Sequence, residues 1–297
     1  MGNNFTISVV SEEESLAFEN IELAISEIRR IEQLFTTYKS DSQTNLINEN
    51  AGIKAVVVDK EVFDLIERSI NISKITQGAF DISYGSIDKS LWNFDKTMTS
   101  LPSAEQAKTM VHLINYNNII LDKSNYSVFL KEKGMRIGFG GIGKGYAAEM
   151  AKKKLIENKV SSGIINASGD LTTWGVQPNG KQWTIGIANP DQPTAAFSFI
   201  EISNKAVATS GNYEKYIMIN GKKYSHTIDP KTGLPITGIK SVTIISSNAE
   251  FADAMATPIA IMGIQAGLFL INQIPDLYCI IIDDNNKIYT SKNINLK

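Results

Sequence analysis

The sequence of 297 residues has one cysteine, two histidines and no marked excess of charge of either sign. A single thiol forms no intramolecular disulfide, so cysteine usage indicates no particular redox compartment. Cys279 stands in the apolar run LYCIIID and is predicted to be a small core residue. The 29 basic residues nearly balance the 31 acidic ones, which leaves no broad field to attract nucleic acid or an anionic membrane. We therefore expect no nucleic-acid partner.

A long apolar run and a signal peptide are also absent from the sequence. No stretch of about 18 uncharged apolar residues occurs, so no membrane-spanning helix is expected. The N-terminus has neither the basic flank nor the apolar core that signal peptides carry. Its first residues, MGNNFT, match the loose N-myristoylation pattern, but Phe5, Ile7, Val9 and Val10 are more typical of an opening strand.

The sequence does contain a mixture of helical and strand-like periodicities. Apolar spacing predicts helices over residues 15–38, 60–76, 144–159 and roughly 249–271, and a capping box of Ser103 and Gln106 starts another. Short strands are predicted over residues 5–10, 118–122, 127–131 and 135–139, and then at GIINAS, WTIGIA, FSFIEI, AVATS, YIMI, SVTIISS and LYCIIIDD. The polar segment KSDSQTNLINENAG is predicted to interrupt regular structure.

The order of these elements bears on the fold class. Helices and strands are mixed and do not alternate strictly, so we predict an α+β fold and not a doubly wound parallel sheet. No internal repeat, low-complexity segment or Pro/Gly/Ser linker marks a boundary. Residues 1–297 are therefore predicted to form a single domain, which leaves room for two interleaved lobes.

The segment GFGGIGKGYA, residues 138–147, matches two phosphate-loop patterns at once. Its glycines satisfy the spacing of a dinucleotide-binding turn, and Gly138, Gly143 and Lys144 satisfy the start of a Walker A loop. A Walker A loop needs Ser or Thr after its lysine to hold magnesium, and Gly145 stands there, which argues against a P-loop NTPase. The dinucleotide match lacks the surrounding β-α units. A tight turn selected for packing stays open as the alternative.

The physics of this loop favours an anion in either case. Glycines let backbone N–H groups approach a ligand closely, and a helix N-terminus favours negative charge. Lys144 adds a cation at that same end, where the helix dipole favours a carboxylate. The arrangement makes sense if a phosphate lies between them. The loop therefore indicates an anion site, with packing as the other interpretation.

Two other segments contain aspartates, and each aspartate has both a functional and a structural interpretation. Asp81 in TQGAFDIS lies between Phe80 and Ile82 and either meets a ligand or faces water from a strand. Asn166 and Asp170 in NASGDLTTWG either face a ligand or form a plain Asx turn.

Two further segments suggest proton transfer and metal binding. His226 in YSHTIDPKTGLP precedes a rigid turn, and histidine suits proton transfer near neutral pH, whereas His112 on a helix is predicted to be structural. Asp253 and Thr257 in ADAMATPIAIMG lie four apart on a helix, so they share a face and offer hard oxygen ligands to Mg²⁺. Pro258 is predicted to kink this helix.

Taken in order, seven segments resemble the ApbE family of flavin transferases, the FAD:protein FMN transferases. They are MGNNFTI, TQGAFDI, GFGGIGKGYA, NASGD, ATSGNY, HTIDPKTG and ADAMAT, and they run from Met1 almost to the last strand. The resemblance implies an ApbE-like, T-fold-like arrangement of mixed sheets and packed helices, with the active site in a cleft between two lobes. Three positions depart from the family pattern: Gly138 replaces an acid, Ser168 replaces a glycine, and Pro258 is unusual after the threonine.

The resemblance implies a role for each matching residue. Magnesium would be held by the side chains of Asp253 and Thr257 and by the main-chain carbonyl of Gly141. His226 is our candidate for the catalytic residue that deprotonates the acceptor hydroxyl. The residues in contact with FAD would be Met1, Tyr38, Ala79, Phe80, Asp81, Lys144 and the backbone at Thr227.

The implied activity is transfer of the FMN moiety of FAD to a threonine or serine hydroxyl of an acceptor protein, with AMP leaving. Subunits of flavin-bearing redox pumps and flavin-carrying reductase domains are the expected acceptors. Export to the outer face of the cytoplasmic membrane, in the periplasm, is expected by the same resemblance. Magnesium-dependent hydrolysis of FAD to FMN and AMP, a non-catalytic FAD-binding protein and a purely structural domain stay open as alternatives.

Overall fold

The structure, a computed structural model, describes residues 4–92, 100–212, 216–292 and 294, and for residues 193–196 the backbone alone. Within these ranges the α-helices are α1 (Glu14–Phe35), α2 (Gln43–Glu49), α3 (Lys60–Ile75), α4 (Ala104–Met110), α5 (Gly143–Glu157), α6 (Ala249–Met262) and α7 (Ile264–Ile271). Short 3₁₀ helices cover Ile82–Ser86 and Tyr116–Asn118. The strands are β1 (Phe5–Val9), β2 (Val56–Val57), β3 (Ile119–Asp122), β4 (Ser127–Leu130), β5 (Gly163–Ala167), β6 (Asp170–Trp174), β7 (Trp183–Asn189), β8 (Gln192–Ile202), β9 (Ala206–Gly211), β10 (Tyr216–Ile219), β11 (Lys222–Ser225), β12 (Ile239–Ser246), β13 (Tyr278–Asp283) and β14 (Ile288–Thr290).

The largest sheet in the described part of the chain has seven antiparallel strands in the order β1-β5-β6-β9-β12-β13-β14. Helices α5 and α6 pack against one of its faces, and α1 packs on α5. The ribbon of β7 and β8 covers the other face, where Ile185 and Ile187 share a buried apolar cluster with Leu171, Val207 and Ile245. The sheet is therefore the middle layer between helices and ribbon.

Strand alternation decides which side chains face the helices. In β6, Leu171 lies in the cluster under the ribbon, so its neighbours Asp170 and Thr172 point toward α5. In β9, Val207 lies under the ribbon, whereas Ala208 belongs to the core cluster on the side of α6. The helix face of the sheet thus receives polar side chains near its centre.

The N-terminal half packs onto the same side of the large sheet as α6. Strands β2, β4 and β3 form a small antiparallel sheet. Ile31 of α1, Phe63 of α3 and Val128 of β4 belong to one buried cluster with Val242 and Ile281 of the large sheet. That residues 1–297 form a single domain stays a prediction, which this shared core favours.

The α+β fold class is confirmed, and so are most of the predicted elements. Helices α1, α3 and α5 lie where apolar spacing predicts them, and the capping box of Ser103 and Gln106 is formed. Cys279 is fully buried in β13, as expected of a small core residue. Of the helices in the described part of the chain, none has the length and hydropathy of a membrane span.

The strand predicted at residues 135–139 is wrong. Met135 and Ile137 are buried, as their alternation predicts, but the backbones of Arg136 and Ile137 bind side chains in place of a neighbouring strand. Ile137 N–H donates to Asn48 Oδ1 at 2.7 Å, and Asn48 Nδ2 donates to the Ile137 carbonyl at 3.0 Å. Alternation predicts an extended, half-buried backbone and carries no information on what binds its polar groups.

Two helix predictions also need correction. The helix predicted over residues 249–271 is two helices, because Gly263 takes a φ of 83° and ends α6. Helix α6 runs through Pro258 to Met262, and the kink expected at Pro258 stays a prediction. The segment KSDSQTNLINENAG, predicted to be irregular, contains α2, whose first turn is capped by Ser42 accepting from Asn45 N–H at 3.1 Å.

Candidate active site

Lys144 lies at the start of α5, between two aspartates that other elements supply. Its Nζ is 2.5 Å from Asp170 Oδ2 and 3.4 Å from Asp253 Oδ1. Asp170 is the first residue of β6, and Asp253 lies in the second turn of α6. The carboxylates are 5% and 7% exposed and the lysine 24%, so the group is nearly closed to solvent. We call these residues the Lys144 cluster.

Burial and mutual charge set the protonation of the Lys144 cluster. Burial raises the pKa of Asp170, and the Asp253 carboxylate raises it further, against the opposing effect of Lys144. Burial alone would lower the pKa of Lys144, but the two carboxylates outweigh it and raise that pKa above its ordinary value. Lys144 is therefore held as a cation. In the described part of the chain it is the one cation paired with either aspartate, so the ionised cluster carries excess negative charge.

Gly145 explains how α5 and α6 come so close. A Cβ at this position would lie 2.1 Å from the Ala249 carbonyl oxygen and 2.7 Å from Asp253 Cβ, so no side chain fits there. The bare backbone lets the Gly145 N–H donate to Asp253 Oδ2 at 2.9 Å. The glycine after Lys144 is therefore required by helix packing, and its amide orients Asp253.

The other glycines of this loop leave space beside their backbone. Gly138, Gly140, Gly141 and Gly143 all lack a positive φ, so unusual backbone conformation does not explain them. A Cβ at Gly140 would have no heavy atom within 4 Å, and one at Gly141 would make an ordinary contact with Phe80 Cε2 at 3.6 Å. The loop thus leaves room for a ligand at the N-terminus of α5, where an anion is favoured.

The residues assigned to a metal by the family resemblance supply oxygen atoms, which suit a hard divalent cation. The Gly145 N–H donates to Asp253 and not to the Gly141 carbonyl, and no donor in the described ranges reaches that carbonyl. Asp253 and Thr257 lie four residues apart on α6, as predicted. Carboxylate, hydroxyl and carbonyl oxygens are the ligands that Mg²⁺ prefers. Among the described residues no three His, Cys, Asp or Glu side chains form a metal site, so a cation here would use this mixed set.

The segment ATSGNY supports both α6 and the Lys144 cluster. Thr257 Oγ1 donates to Ser210 Oγ at 3.3 Å. Thr209, beside Ser210 on β9, donates its N–H to Asp170 Oδ1 at 3.2 Å. Sequence reasoning marked this segment through the family resemblance and assigned none of its residues a role. The sequence signal for Thr209 and Ser210 was that ATSGNY is one of the seven segments that resemble the family.

Asp81 is buried, so the interpretation that it faces water from a strand is wrong. Its carboxylate accepts from Ser83 N–H at 2.8 Å, from Ser83 Oγ at 2.6 Å and from Tyr116 N–H at 2.8 Å. Burial nevertheless raises its pKa. Ala79 and Phe80 are buried as well, and the Phe80 N–H donates to Thr76 Oγ1 at 3.1 Å. The buried Asp81 carboxylate therefore fixes the local backbone through these hydrogen bonds.

His226 is exposed and directly follows β11. The loop that it begins is fixed by buried Asn212, whose Oδ1 accepts from Ser225 Oγ at 2.6 Å and from Thr227 Oγ1 at 3.1 Å. Thr227 N–H donates to Ser225 Oγ at 3.0 Å, and its carbonyl accepts from Ile236 N–H at 3.0 Å. A ligand contact to the Thr227 backbone is therefore confined to the second lone pair of that carbonyl.

The NASGD segment is the hairpin turn between β5 and β6. Asn166 Oδ1 accepts from Gly169 N–H at 2.7 Å, which is the Asx-type interpretation. Ser168 and Gly169 both have positive φ, at 53° and 100°, as a tight hairpin requires. Asp170 departs from the plain turn, because it enters β6 and pairs with Lys144. Its contact with a ligand stays a prediction.

Of the remaining predicted residues, the structure describes Tyr38 and His112, and neither belongs to the Lys144 cluster. Tyr38 is 91% exposed, and its neighbour Thr37 lies next to Gly138, with Cγ2 3.8 Å from where a Cβ would be. The prediction for Met1 falls outside the described residues. His112 was predicted on a helix but lies beyond the end of α4, where its ring contacts the Thr109 carbonyl, and it is exposed and lines the cleft that includes Asp81. Its structural role stays a prediction.

A cleft of about 370 Å³ opens beside Asp81, between the end of α3 and the turn after Asp229. Gln77, Tyr116 and Lys231 are among the residues that line it. It includes Asp81 but no member of the Lys144 cluster. That the active site occupies a cleft between two lobes therefore stays a prediction.

The architecture is that of ApbE proteins of known structure. The crystal structure of the ApbE protein from Thermotoga maritima MSB8 aligns with a TM-score of 0.86 and 29% identity, over 98% of this chain and 94% of that chain. The apo form of the flavinyl transferase ApbE from Pseudomonas stutzeri aligns with a TM-score of 0.84 and 25% identity, over 98% of this chain and 92% of that chain. The fold thus defines a class of protein that includes known flavinyl transferases.

Sequence comparison agrees with the fold. A curated relative, the FAD:protein FMN transferase of Klebsiella pneumoniae (strain 342), is 32% identical over 293 residues, which are 98% of this chain and 89% of that protein. The model of the ApbE family matches residues 1–281. This chain belongs to the ApbE family. The resemblance inferred from seven short segments is confirmed.

Proposed function

We propose that this chain transfers the FMN moiety of FAD to a threonine or serine hydroxyl of an acceptor protein, in a magnesium-dependent reaction that releases AMP. The observation that carries the proposal is the Lys144 cluster: a cation at the N-terminus of α5, between two buried carboxylates and beside a loop with open backbone. Relatives named FAD:protein FMN transferases support the choice of FAD and a protein as substrates.

Mg²⁺ would be held by the Asp253 and Thr257 side chains and the Gly141 carbonyl. The excess negative charge of the ionised cluster and the Gly141 carbonyl, which no described donor reaches, support this fit. When bound, the ion would neutralise charge that develops on the phosphate oxygens.

The chain's own residues bind the diphosphate and the flavin. Lys144 and the N-terminus of α5 both favour anionic oxygens, so they hold the diphosphate of FAD. Exposed Tyr38 offers an aromatic face to the flat flavin ring. Met1, the segment of Ala79, Phe80 and Asp81, and the Thr227 carbonyl complete the FAD contacts by family resemblance.

His226 accepts the proton of the acceptor hydroxyl. The hydroxyl oxygen then attacks the phosphorus of the FMN phosphate, the bond from that phosphorus to the bridging oxygen breaks, and AMP leaves with that oxygen. The exposure of His226 lets an acceptor protein reach it, and Asn212 fixes the loop that carries it.

The proposal extends to the acceptor and the location by family resemblance alone. The acceptors are subunits of flavin-bearing redox pumps or flavin-carrying reductase domains. The location is the outer face of the cytoplasmic membrane, in the periplasm.

The test is to incubate the protein with FAD, MgCl₂ and candidate acceptors, followed by mass spectrometry of the acceptor and chromatography of the nucleotides. FMN bound to a threonine or serine, with an equal amount of AMP, supports the proposal. FMN and AMP without a modified acceptor indicate FAD hydrolysis. A stable flavin complex without AMP indicates a binding protein, and no FAD binding indicates a structural domain.

A further inference from the structure

A second buried ion pair binds the N-terminus of α6, one helical turn along α5 from Gly145. Glu149 Oε2 accepts the Ala249 N–H at 2.9 Å, and Glu149 Oε1 lies 2.6 Å from Lys152 Nζ. Ala249 is the first residue of α6, and Asp253 follows it about one turn later. Glu149 therefore holds the helical turn that leads into Asp253.

The same pair reaches the strand that carries Asp170. Lys152 Nζ donates to Thr172 Oγ1 at 3.0 Å, and Thr172 stands two residues after Asp170 on the helix face of β6. The Glu149 and Lys152 side chains are 13% and 11% exposed. The pair thus joins β6, α5 and α6, which are the three elements that form the Lys144 cluster.

Stability alone is a poor explanation for this pair. A buried ion pair contributes little net stability compared with apolar residues of similar volume. An apolar pair at Glu149 and Lys152 would fill the same space, but it would leave the Ala249 N–H without its acceptor. What the ion pair provides is a fixed attachment of α6 to α5.

We propose that Glu149, supported by Lys152, is a positioning residue for the metal ligand Asp253. It sets where the first turn of α6 lies on α5, and so where the Asp253 carboxylate lies relative to Lys144. The inference rests on the proposed magnesium-dependent transfer. Because Glu149 contacts no substrate in this scheme, loss of its hydrogen bond to Ala249 raises the magnesium requirement and leaves the KM for FAD unchanged.

Two double variants test this inference: Glu149→Gln with Lys152→Met, and Glu149→Leu with Lys152→Met. Both remove the buried charges at similar volume, but glutamine keeps an acceptor for the Ala249 N–H and leucine does not. We expect the leucine variant to need about tenfold more Mg²⁺ for half-maximal transfer, at an equal KM for FAD, since outer partners of metal ligands typically change affinity by about 10–100-fold. Electron paramagnetic resonance of Mn²⁺ binding should give the same ratio without turnover.

Equal magnesium requirements in the two double variants would overturn the inference. Should the leucine variant fail to fold, Ala249→Pro tests the same bond from its other side, because proline lacks the N–H yet suits the first helical position. A tenfold rise in that variant supports the inference, and no rise overturns it. If wild-type protein binds Mn²⁺ with the expected ratio among variants but transfers no FMN, the proposed function fails and the positioning role stands.

Discussion

The two faces of the seven-stranded sheet are built from different chemistry. The face under the helices carries two buried charge groups, centred on Lys144 and on Glu149. The face under the β7–β8 ribbon carries an aliphatic cluster, to which Leu171, Ile187 and Ile280 belong. Buried charges need partners at fixed distances, whereas aliphatic packing needs mainly the right volume. The comparison shows that one face of the sheet must hold charged groups at fixed distances, whereas the other face mainly contributes stability through packing.

Replacement of Lys144, on the helix face of the sheet, should cause the largest loss of transfer activity. Lys144→Met removes the cation that faces the diphosphate and leaves the two aspartates without their partner, so we expect transfer to fall by about 1000-fold at saturating Mg²⁺. The measurement is the rate of covalent flavin incorporation into the acceptor. Lys153→Met, at an exposed position of the same helix, is the matched control and should keep the wild-type rate. Undiminished transfer by Lys144→Met would refute the assignment of function to this face.

Replacement of the candidate base should separate turnover from binding. His226→Ala removes the group that accepts the hydroxyl proton, and we expect transfer to fall by about 100-fold. FAD affinity, measured by flavin fluorescence, should stay close to wild type, because Asn212 binds the side chains of Ser225 and Thr227 on either side of His226. His112→Ala serves as the control. Normal turnover in His226→Ala would remove this residue from the mechanism.

A cavity under the β7–β8 ribbon should lower stability and leave transfer unchanged. Ile187 is 3% exposed, and Ile187→Ala should lower the free energy of unfolding by about 2–5 kcal/mol in denaturant titration. Transfer per folded molecule should not change, because the lost volume lies across the sheet from Lys144. A folded variant with a clear loss of transfer would show that the two faces are coupled.

The smallest effect is expected at the hairpin that leads into Asp170. Ser168 has a φ of 53°, which costs a non-glycine residue energy, and its Oγ donates to the Asn4 carbonyl at 3.0 Å. Ser168→Gly relieves the strain and loses that exposed bond, so we expect a gain in stability of about 0.5 kcal/mol. Gly169→Ala, at a φ of 100°, should be destabilising under the same thermal melt. A loss of stability in Ser168→Gly would mean that the hydroxyl contact outweighs the strain.

The chemistry of the site could be predicted where the signal lies within one segment. Lys144 stood out as a cation at a helix N-terminus, and Asp253 and Thr257 as oxygen donors one turn apart. The structure brings Lys144 within 3.4 Å of Asp253, although these residues lie on different helices. Family resemblance supplied the connection between those segments, which local patterns did not contain.

Pairings between distant segments could not be predicted in this way. The sequence leaves Asp170 as either a ligand contact or part of a plain Asx turn, and neither interpretation names its partner Lys144, which depends on how β6 lies against α5. The packing role of Gly145 depends on Ala249, which belongs to another helix. Such contacts follow from tertiary packing, which apolar periodicity constrains only in outline.

Asn48 connects the segment just before the glycine loop to the N-terminal half of the chain. It binds both backbone groups of Ile137, which lies 89 residues further along the chain. Contacts across so long a separation form slowly, because chain entropy must be lost before they form. We expect the Ile137 amide to gain protection in pulse-labelled hydrogen exchange only after the amides of β12, and simultaneous protection would contradict this order. The segment that leads into the glycine loop is then expected to become ordered after the centre of the large sheet.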